Sequence, residues 1–368
     1  MCIRDRDYIE SLGQFNPSIS NTIDDKPYIN FTSNDYLSIG QAEYQSQDFL
    51  NFMKTYSINL SSSRLVSGNS VIYDDLEQDI SNYLNFEACL ICNSGYDANL
   101  ALFYIFKNEN VIVFSDEKNH ASIIDGIKLS GLQKVIYPHL DYEDLEEHLA
   151  WDTHEDVQKV IVSDSVFSTS GKTVDIKKLV NLKQRYNAIL IIDASHSLGL
   201  NMIENHDGID ILTASLSKAW GAHGGVILSS KDIRDLIINQ GRSLIYSSSL
   251  PIHNLYFIKE SLQHVIEDEY RREKLNTLSE YFNRKFKVLF PNQSTSGTPI
   301  KNIACDSLAT GRKRYEMLYD HGIFVSYLRH PTVTQPTLRI SLSYFHEAGD
   351  VDRLFNFINQ CELGDSHV

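Results

Sequence analysis

The chain lacks any apolar run of membrane-spanning length, so nothing in it reads as a transmembrane helix. Its opening residues, Met1-Cys-Ile-Arg-Asp-Arg6, are charged and have no apolar signal core, and no lipidation signal is found. Cysteine is sparse. Cys2, Cys89, Cys92, Cys305 and Cys361 are odd in number and follow no framework spacing, which argues against a disulfide scaffold and for a reducing, cytoplasmic setting. Cys89 and Cys92 form an isolated C-x-x-C within the apolar run Ala88–Cys92. A strand's period of two sends these sulfurs to opposite faces, so a core role is expected, with no metal site. Basic charge is also short: 33 Lys and Arg stand against 48 Asp and Glu, a formal charge of -15. That argues against a general nucleic-acid binder but leaves room for local basic patches facing an anionic substrate. Internal repeats and low-complexity tracts are absent.

What is present is an alternation. Uniformly apolar segments at Ala88–Cys92, Asn110–Phe114, Lys159–Val162, Ala188–Ile192, Ile209–Leu212 and Val226–Leu228 are separated by turns and helical patterns. One such helix is marked by Leu76, Ile80, Tyr83 and Leu84, and another by Ile176, Leu179, Val180 and Tyr186. Strands without polar alternation, interleaved with helices, imply an α/β fold with a mainly parallel sheet covered on both faces. Residues 7–27 read as a short helix and a polar linker, and from about 255 the texture changes. A long charged helix over Leu262–Phe290 leads into a smaller α+β unit, closed by a helix with Val351, Leu354, Phe355 and Ile358 on its buried stripe. For a chain of 368 residues we expect an N-terminal segment 1–45, a large domain 46–255 and a small C-terminal domain 256–368.

Polar residues collect where these strands end: His120, Ser168, Asp193, His196, Ser215 and Lys218. Open α/β sheets bind ligands at that edge. Asn93-Ser-Gly-Tyr-Asp97 lies between a strand and a helix, and a helix N-terminus there offers N–H groups to a phosphate. Lys218 sits in Thr213–Gly225, between small hydroxyl residues and a glycine-rich run. A lysine crowded into such a turn suits Schiff-base chemistry.

The ordered set of motifs resembles the α-oxoamine synthases, pyridoxal-phosphate enzymes of fold type I, the aspartate-aminotransferase-like fold. The matching stretches are Asn30–Leu37, Ser63–Gly68, Asn93–Tyr96, Asn119–Ser122, Val166–Ser168, Ile192–His196, Ser215–Gly221, Ile245–Ser249, Pro331–Val333 and Leu338–Glu347. The resemblance implies that the large domain binds pyridoxal 5'-phosphate and that Lys218 holds it covalently, then moves the proton at the substrate Cα. It implies Asp193 opposite the pyridine nitrogen, His196 on the ring oxygen with Ser168 nearby, and His120 stacked on the ring. Gly95, Tyr96 and Ser215 would hold the phosphate, and Ser248 would reach the phosphate of a second subunit, so a homodimer with shared sites is implied. Arg339, aided by Asn34, would take the amino-acid carboxylate, with His120 against the substrate and Thr332 on the acyl side. The expected substrates are an amino acid, L-alanine first and glycine or serine as alternatives, and an acyl thioester on CoA or on acyl carrier protein. Nucleic acid and membrane are not expected partners. Two basic clusters, Arg271–Lys274 and Arg312–Arg314, are candidates for meeting the anionic carrier. The family usually has an outer acid and a glycine around Asp193-Ala-Ser-His-Ser197, and this chain has Ala194 and Ser197 there. A rival of another class is a non-catalytic binding module on the same scaffold.

Overall fold

The structure, a computed structural model, describes residues 21–23, 26–42, 46–56, 58–151, 157–203 and 206–364. Cys2 and the helix expected after residue 7 lie outside them, while part of the expected linker forms strands. Packing divides the chain into Leu37–Glu273, the large unit, and Met1–Tyr36 with Lys274–Val368, the small unit. In chain order, β1 (Asn21–Ile23) and β2 (Lys26–Asn30) belong to the small unit. The large unit holds β3 (Ala88–Cys92), β4 (Val111–Asp116), β5 (Gln133–Tyr137), β6 (Gln158–Asp164), β7 (Ile189–Asp193), β8 (Ile211–Ser215) and β9 (Gly225–Ser229). The small unit resumes with β10 (Ile300–Ala304), β11 (Ile323–Phe324), β12 (Ser326–Leu328) and β13 (Thr337–Ser341).

The seven strands of the large unit form one sheet in the order β3-β9-β8-β7-β6-β4-β5. All pairings from β8 to β5 are parallel, and β9 runs antiparallel to both β8 and β3. The uniform apolarity of the strands has its cause here: Val160, Ile161, Val162, Leu190, Ile191 and Ile192 are all fully buried, as strands covered on both faces must be. Helix Gly95–Tyr104 lays Ala98, Ala101, Leu102 and Phe103 into the same core. Cys89 and Cys92 are buried free thiols on β3, and burial pushes both thiols up, Cys92 to about 12. The edge strand β5 escapes the apolar pattern because it is covered on one side only; Gln133, Lys134 and Ile136 face solvent.

The charged helix expected over Leu262–Phe290 is two helices, Ile252–Glu267 and Glu269–Leu289, broken at Asp268. The Asp268 carboxylate accepts from Arg271 Nε at 2.8 Å and pairs with His264 Nδ1 at 3.0 Å. Arg271 and Arg272 are buried, donating to the carbonyls of Leu37 at 3.0 Å and Val265 at 2.8 Å. These two guanidiniums are internal ties, which corrects their reading as a docking face. In the small unit, β10, β13 and β12 form one antiparallel sheet, and β2 joins β1 to β11 in another. The closing helix Ala348–Gly364 buries Val351, Leu354, Phe355 and Ile358. Arg314 is also buried, donating to Cys305 Sγ at 3.4 Å, whereas the exposed Arg312 pairs with Glu316 at 2.7 Å. Among the described residues no helix is long and apolar enough to cross a membrane.

Candidate active site

A cavity of about 230 Å³ opens where β6, β7 and β8 end, bounded by the turn after β3 and the one after β4. Three constructions build it. The first is the N-terminus of helix Gly95–Tyr104. Ser94 caps it, its hydroxyl accepting from the Asp97 N–H at 3.1 Å. A Cβ at Gly95 would lie 2.9 Å from Ser215 Cβ, and one at Gly225 would lie 2.2 Å from the Ser94 carbonyl oxygen. Only glycine lets the end of β8 and the start of β9 press against this turn, which puts Ser215 beside the leading N–H groups of the helix. Those groups have no intrahelical acceptor and sit at the positive end of its dipole.

The second is the β8–β9 connection. It doubles back tightly: Leu216 N–H donates to the Gly224 carbonyl at 3.0 Å, and Gly221 N–H to the Lys218 carbonyl at 2.9 Å. Gly221 has φ +64° and packs on the Gly40 backbone, so a side chain is excluded there. The turn carries Lys218, half-buried, into the cavity.

The third is a set of acids and imidazoles on neighbouring strand ends. Asp193 ends β7 and stands in register beside Asp164, which ends β6. Both Asp193 oxygens accept hydrogen bonds, Oδ1 from Ser195 N–H at 2.9 Å and Oδ2 from Asn99 Nδ2 at 2.7 Å. Burial holds the Asp164 carboxyl well above the usual range, and the neighbouring Asp193 charge adds to this. His120 caps helix Ala121–Leu129, and its Nδ1 accepts from the Ser122 N–H at 3.3 Å. Its outer side is open, yet the cavity walls lower its pKa; Lys218 acts in the same direction and Asp193 opposes. His196 is buried and also lines the cavity.

Of the residues singled out from sequence, Gly95, Tyr96, His120, Asp193, His196, Ser215 and Lys218 line this one cavity. Ser168 is half-buried and is not among the lining residues, where Val166 appears instead. Ser248 lines a separate small recess with Arg64, Asn93 and Asp97, and its carbonyl accepts from Asn93 Nδ2 at 2.8 Å. Asn34 and Arg339 belong to the small unit, where Arg339 Nη2 donates to Asn34 Oδ1 at 3.0 Å. Thr332 is exposed on the loop before β13. Sequence reasoning missed Asp164, Ser122, Ser195 and Asn99. Asp164 carried the same signal as Asp193, an acid closing an apolar strand. Asn99 was legible as a lone amide between Ala98 and Ala101 on the buried face of its helix.

An amine, a carboxylate and a helix N-terminus around one cavity provide, in turn, a covalent anchor, a partner for a protonated ring nitrogen and a phosphate cradle. A phosphorylated pyridine aldehyde fits that donor set. The sequence matches the family described as aminotransferase class I and II over residues 26–358. The chain belongs to that family. The family's fold type I is the α/β fold of the large unit, with its mainly parallel sheet, and its cofactor is pyridoxal phosphate. Two relatives carry the provisional name 8-amino-7-oxononanoate synthase. One, from Thermodesulfovibrio yellowstonii, is 37% identical over 342 residues, 90% of this chain and 88% of the relative. The other, from Bacillus cereus, is 34% identical over 355 residues, 92% of this chain and 90% of the relative. The crystal structure of an 8-amino-7-oxononanoate synthase from Francisella tularensis superposes with a TM-score of 0.79 at 25% identity, over 93% of this chain and 99% of that one. A serine palmitoyltransferase from S. paucimobilis superposes with a TM-score of 0.89 over 97% of this chain and 93% of that one; at 19% identity it speaks for the fold. Within the family, then, this is a pyridoxal-phosphate-dependent acyltransferase of the α-oxoamine synthase group.

Proposed function

We propose that the enzyme condenses L-alanine with a pimeloyl thioester, releasing the thiol and CO2, to give 8-amino-7-oxononanoate for biotin biosynthesis. The observation that carries the reading is the meeting of Lys218, Asp193 and the Gly95 helix N-terminus in one cavity. The substrates rest on the names of the relatives above. In this reading Lys218 holds the cofactor, Asp193 faces its ring nitrogen, and His120 and His196 contact the ring, with Ser168 near the ring oxygen. Gly95, Tyr96 and Ser215 receive the phosphate. Bound pyridoxal phosphate supplies an electron sink for the charge left at Cα. The Lys218 amine removes the Cα proton of alanine and later returns one to the same carbon. Arg339 offers a planar fork for the amino-acid carboxylate, oriented by Asn34, and Thr332 borders the acyl chain. The freed Cα attacks the thioester carbonyl, the thiol leaves, and the carboxylate departs as CO2.

A homodimer belongs to the same proposal, with Ser248 serving the phosphate of a second copy. So does a cytoplasmic setting, which the free thiols of Cys89, Cys92, Cys305 and Cys361 support. With Arg271, Arg272 and Arg314 buried, the clusters considered for the carrier keep Arg312 and Lys313 exposed and Lys274 half-buried, paired with Glu347. The test is a panel of alanine, glycine and serine crossed with pimeloyl and other acyl thioesters on CoA and on acyl carrier protein, scored by thiol release. Fastest turnover with alanine and a pimeloyl thioester is expected. Preference for glycine or serine would move the chain to a sister activity. Cofactor binding without thiol release from any pair would favour a non-catalytic role.

A further inference from the structure

Behind the cavity wall, one amide bonds Asp193 directly and reaches His120 through Ser122, two of the groups expected to contact the cofactor ring. Asn99 is fully buried in helix Gly95–Tyr104. Its Nδ2 donates to Asp193 Oδ2 at 2.7 Å and to Ser122 Oγ at 2.9 Å, and its Oδ1 accepts from Thr213 Oγ1 at 2.9 Å. Ser122 Oγ lies 2.8 Å from His120 Nδ1. We infer that Asn99 is a positioning residue that ties Asp193 to His120 through Ser122, fixing the carboxylate's orientation and the ring's tautomer together.

The chain of donors leaves one assignment. A carboxylate can only accept, so the amide nitrogen must face Asp193, and Thr213 then donates to the amide oxygen. The second amide hydrogen goes to Ser122 Oγ. The Ser122 backbone N–H, which can only donate, addresses His120 Nδ1 at 3.3 Å, so the Ser122 hydroxyl hydrogen turns to the same nitrogen. Nδ1 is therefore an acceptor, and neutral His120 carries its hydrogen on Nε2. Every polar atom of the Asn99 side chain is used, and hydrogen bonds in such dry networks reinforce one another. The consequence is that the acid and the imidazole cannot reorient independently.

The inference rests on the reading of this cavity as the cofactor site, but its primary test does not need the cofactor. Histidine nitrogen NMR on the full-length protein, with and without pyridoxal phosphate, reports the His120 tautomer; His120→Gln identifies the signal. The wild type should show Nε2–H. In Asn99→Leu and in Ser122→Ala the preference should relax to a mixture, and Asn99→Leu should bind pyridoxal phosphate about tenfold more weakly. His120 nitrogen shifts in Asn99→Leu that match wild type, or an Nδ1–H tautomer in the wild type, would overturn the inference. If Asn99→Leu does not fold, Ser122→Ala decides it by the same shifts. Failure of the wild type to form a covalent link between Lys218 and pyridoxal phosphate would instead overturn the cofactor reading, leaving the tautomer result standing.

Discussion

Lys218 and Lys301 are both withdrawn from bulk water, one in each unit, and their surroundings differ in kind. Lys218 is half-buried on a tight connection, in a cavity it shares with Asp164 and Asp193. Lys301 is fully buried on β10, and its Nζ donates to Ser279 Oγ at 2.7 Å, Asn283 Oδ1 at 2.8 Å and the Ser296 carbonyl at 2.7 Å. None of those three partners is charged, and burial lowers the Lys301 pKa from 10.5 to about 7. A depressed lysine in an unfamiliar structure invites a catalytic reading. Here the depressed lysine is enclosed by its own unit's polar groups, and the candidate for chemistry is the one at the end of the parallel strands. Position at the ligand edge of the sheet is the better guide.

The comparison can be broken most directly at Lys218. Lys218→Ala should lose the borohydride-fixable link to pyridoxal phosphate and at least about a thousandfold in turnover, with an unchanged circular dichroism spectrum. Normal turnover without an added amine would show that the wrong lysine was chosen. Asp193→Asn should keep the fold and the covalent link but slow Cα proton exchange by on the order of a hundredfold or more, since an oriented charge is lost where charge develops. Solvent deuterium exchange into alanine measures this.

Lys301→Met should behave oppositely. It takes one donor from each of three acceptors, of which Asn283 Oδ1 keeps Thr295 and the Ser296 carbonyl keeps Asn283 Nδ2, and costs about 1–3 kcal/mol in urea unfolding, while turnover per folded molecule stays at the wild-type level. A second effect of Lys301 concerns pH. Between about 7 and 10.5 the folded protein holds Lys301 neutral while the unfolded chain binds a proton. Unfolding therefore takes up that proton, and the wild type gains stability as pH rises through this window, by up to about 1.4 kcal/mol per unit. Below pH 7 both states are protonated and this gain is absent. Urea midpoints of wild type and Lys301→Met should diverge between pH 7 and 9, and parallel curves would show Lys301 to be unshifted.

The large sheet was legible because its inner strands, such as β6 and β7, are covered on both faces and so are apolar throughout. β5 was not, because three of its five residues face solvent, and β10 was not, because Lys301 and Asn302 interrupt an apolar pattern that only the fold reconciles. The break at Asp268 was hidden for a related reason. Charged residues suggest a solvated helix, and nothing local says that Arg271 and Arg272 turn inward to carbonyls. At the site, residues ending strands could be read from position. Asn99 and Ser122 could not be joined from sequence, because their link to Asp193 and His120 exists only once helix and strands are packed.

The antiparallel placement of β9 has a consequence for how the protein is made. Ala88 of β3 pairs with Ser229 of β9, a partner far down the chain. During synthesis β3 therefore waits unpaired while β4 to β8 emerge, for on the order of ten seconds at usual elongation rates. When β9 arrives it closes three things in one event: the gap between β3 and β8, the Gly225 contact against Ser94, and the turn that carries Lys218. The Gly95 helix end and the Lys218 turn thus come together late, so a chain arrested before Gly225 should have the parallel strands but not the cavity.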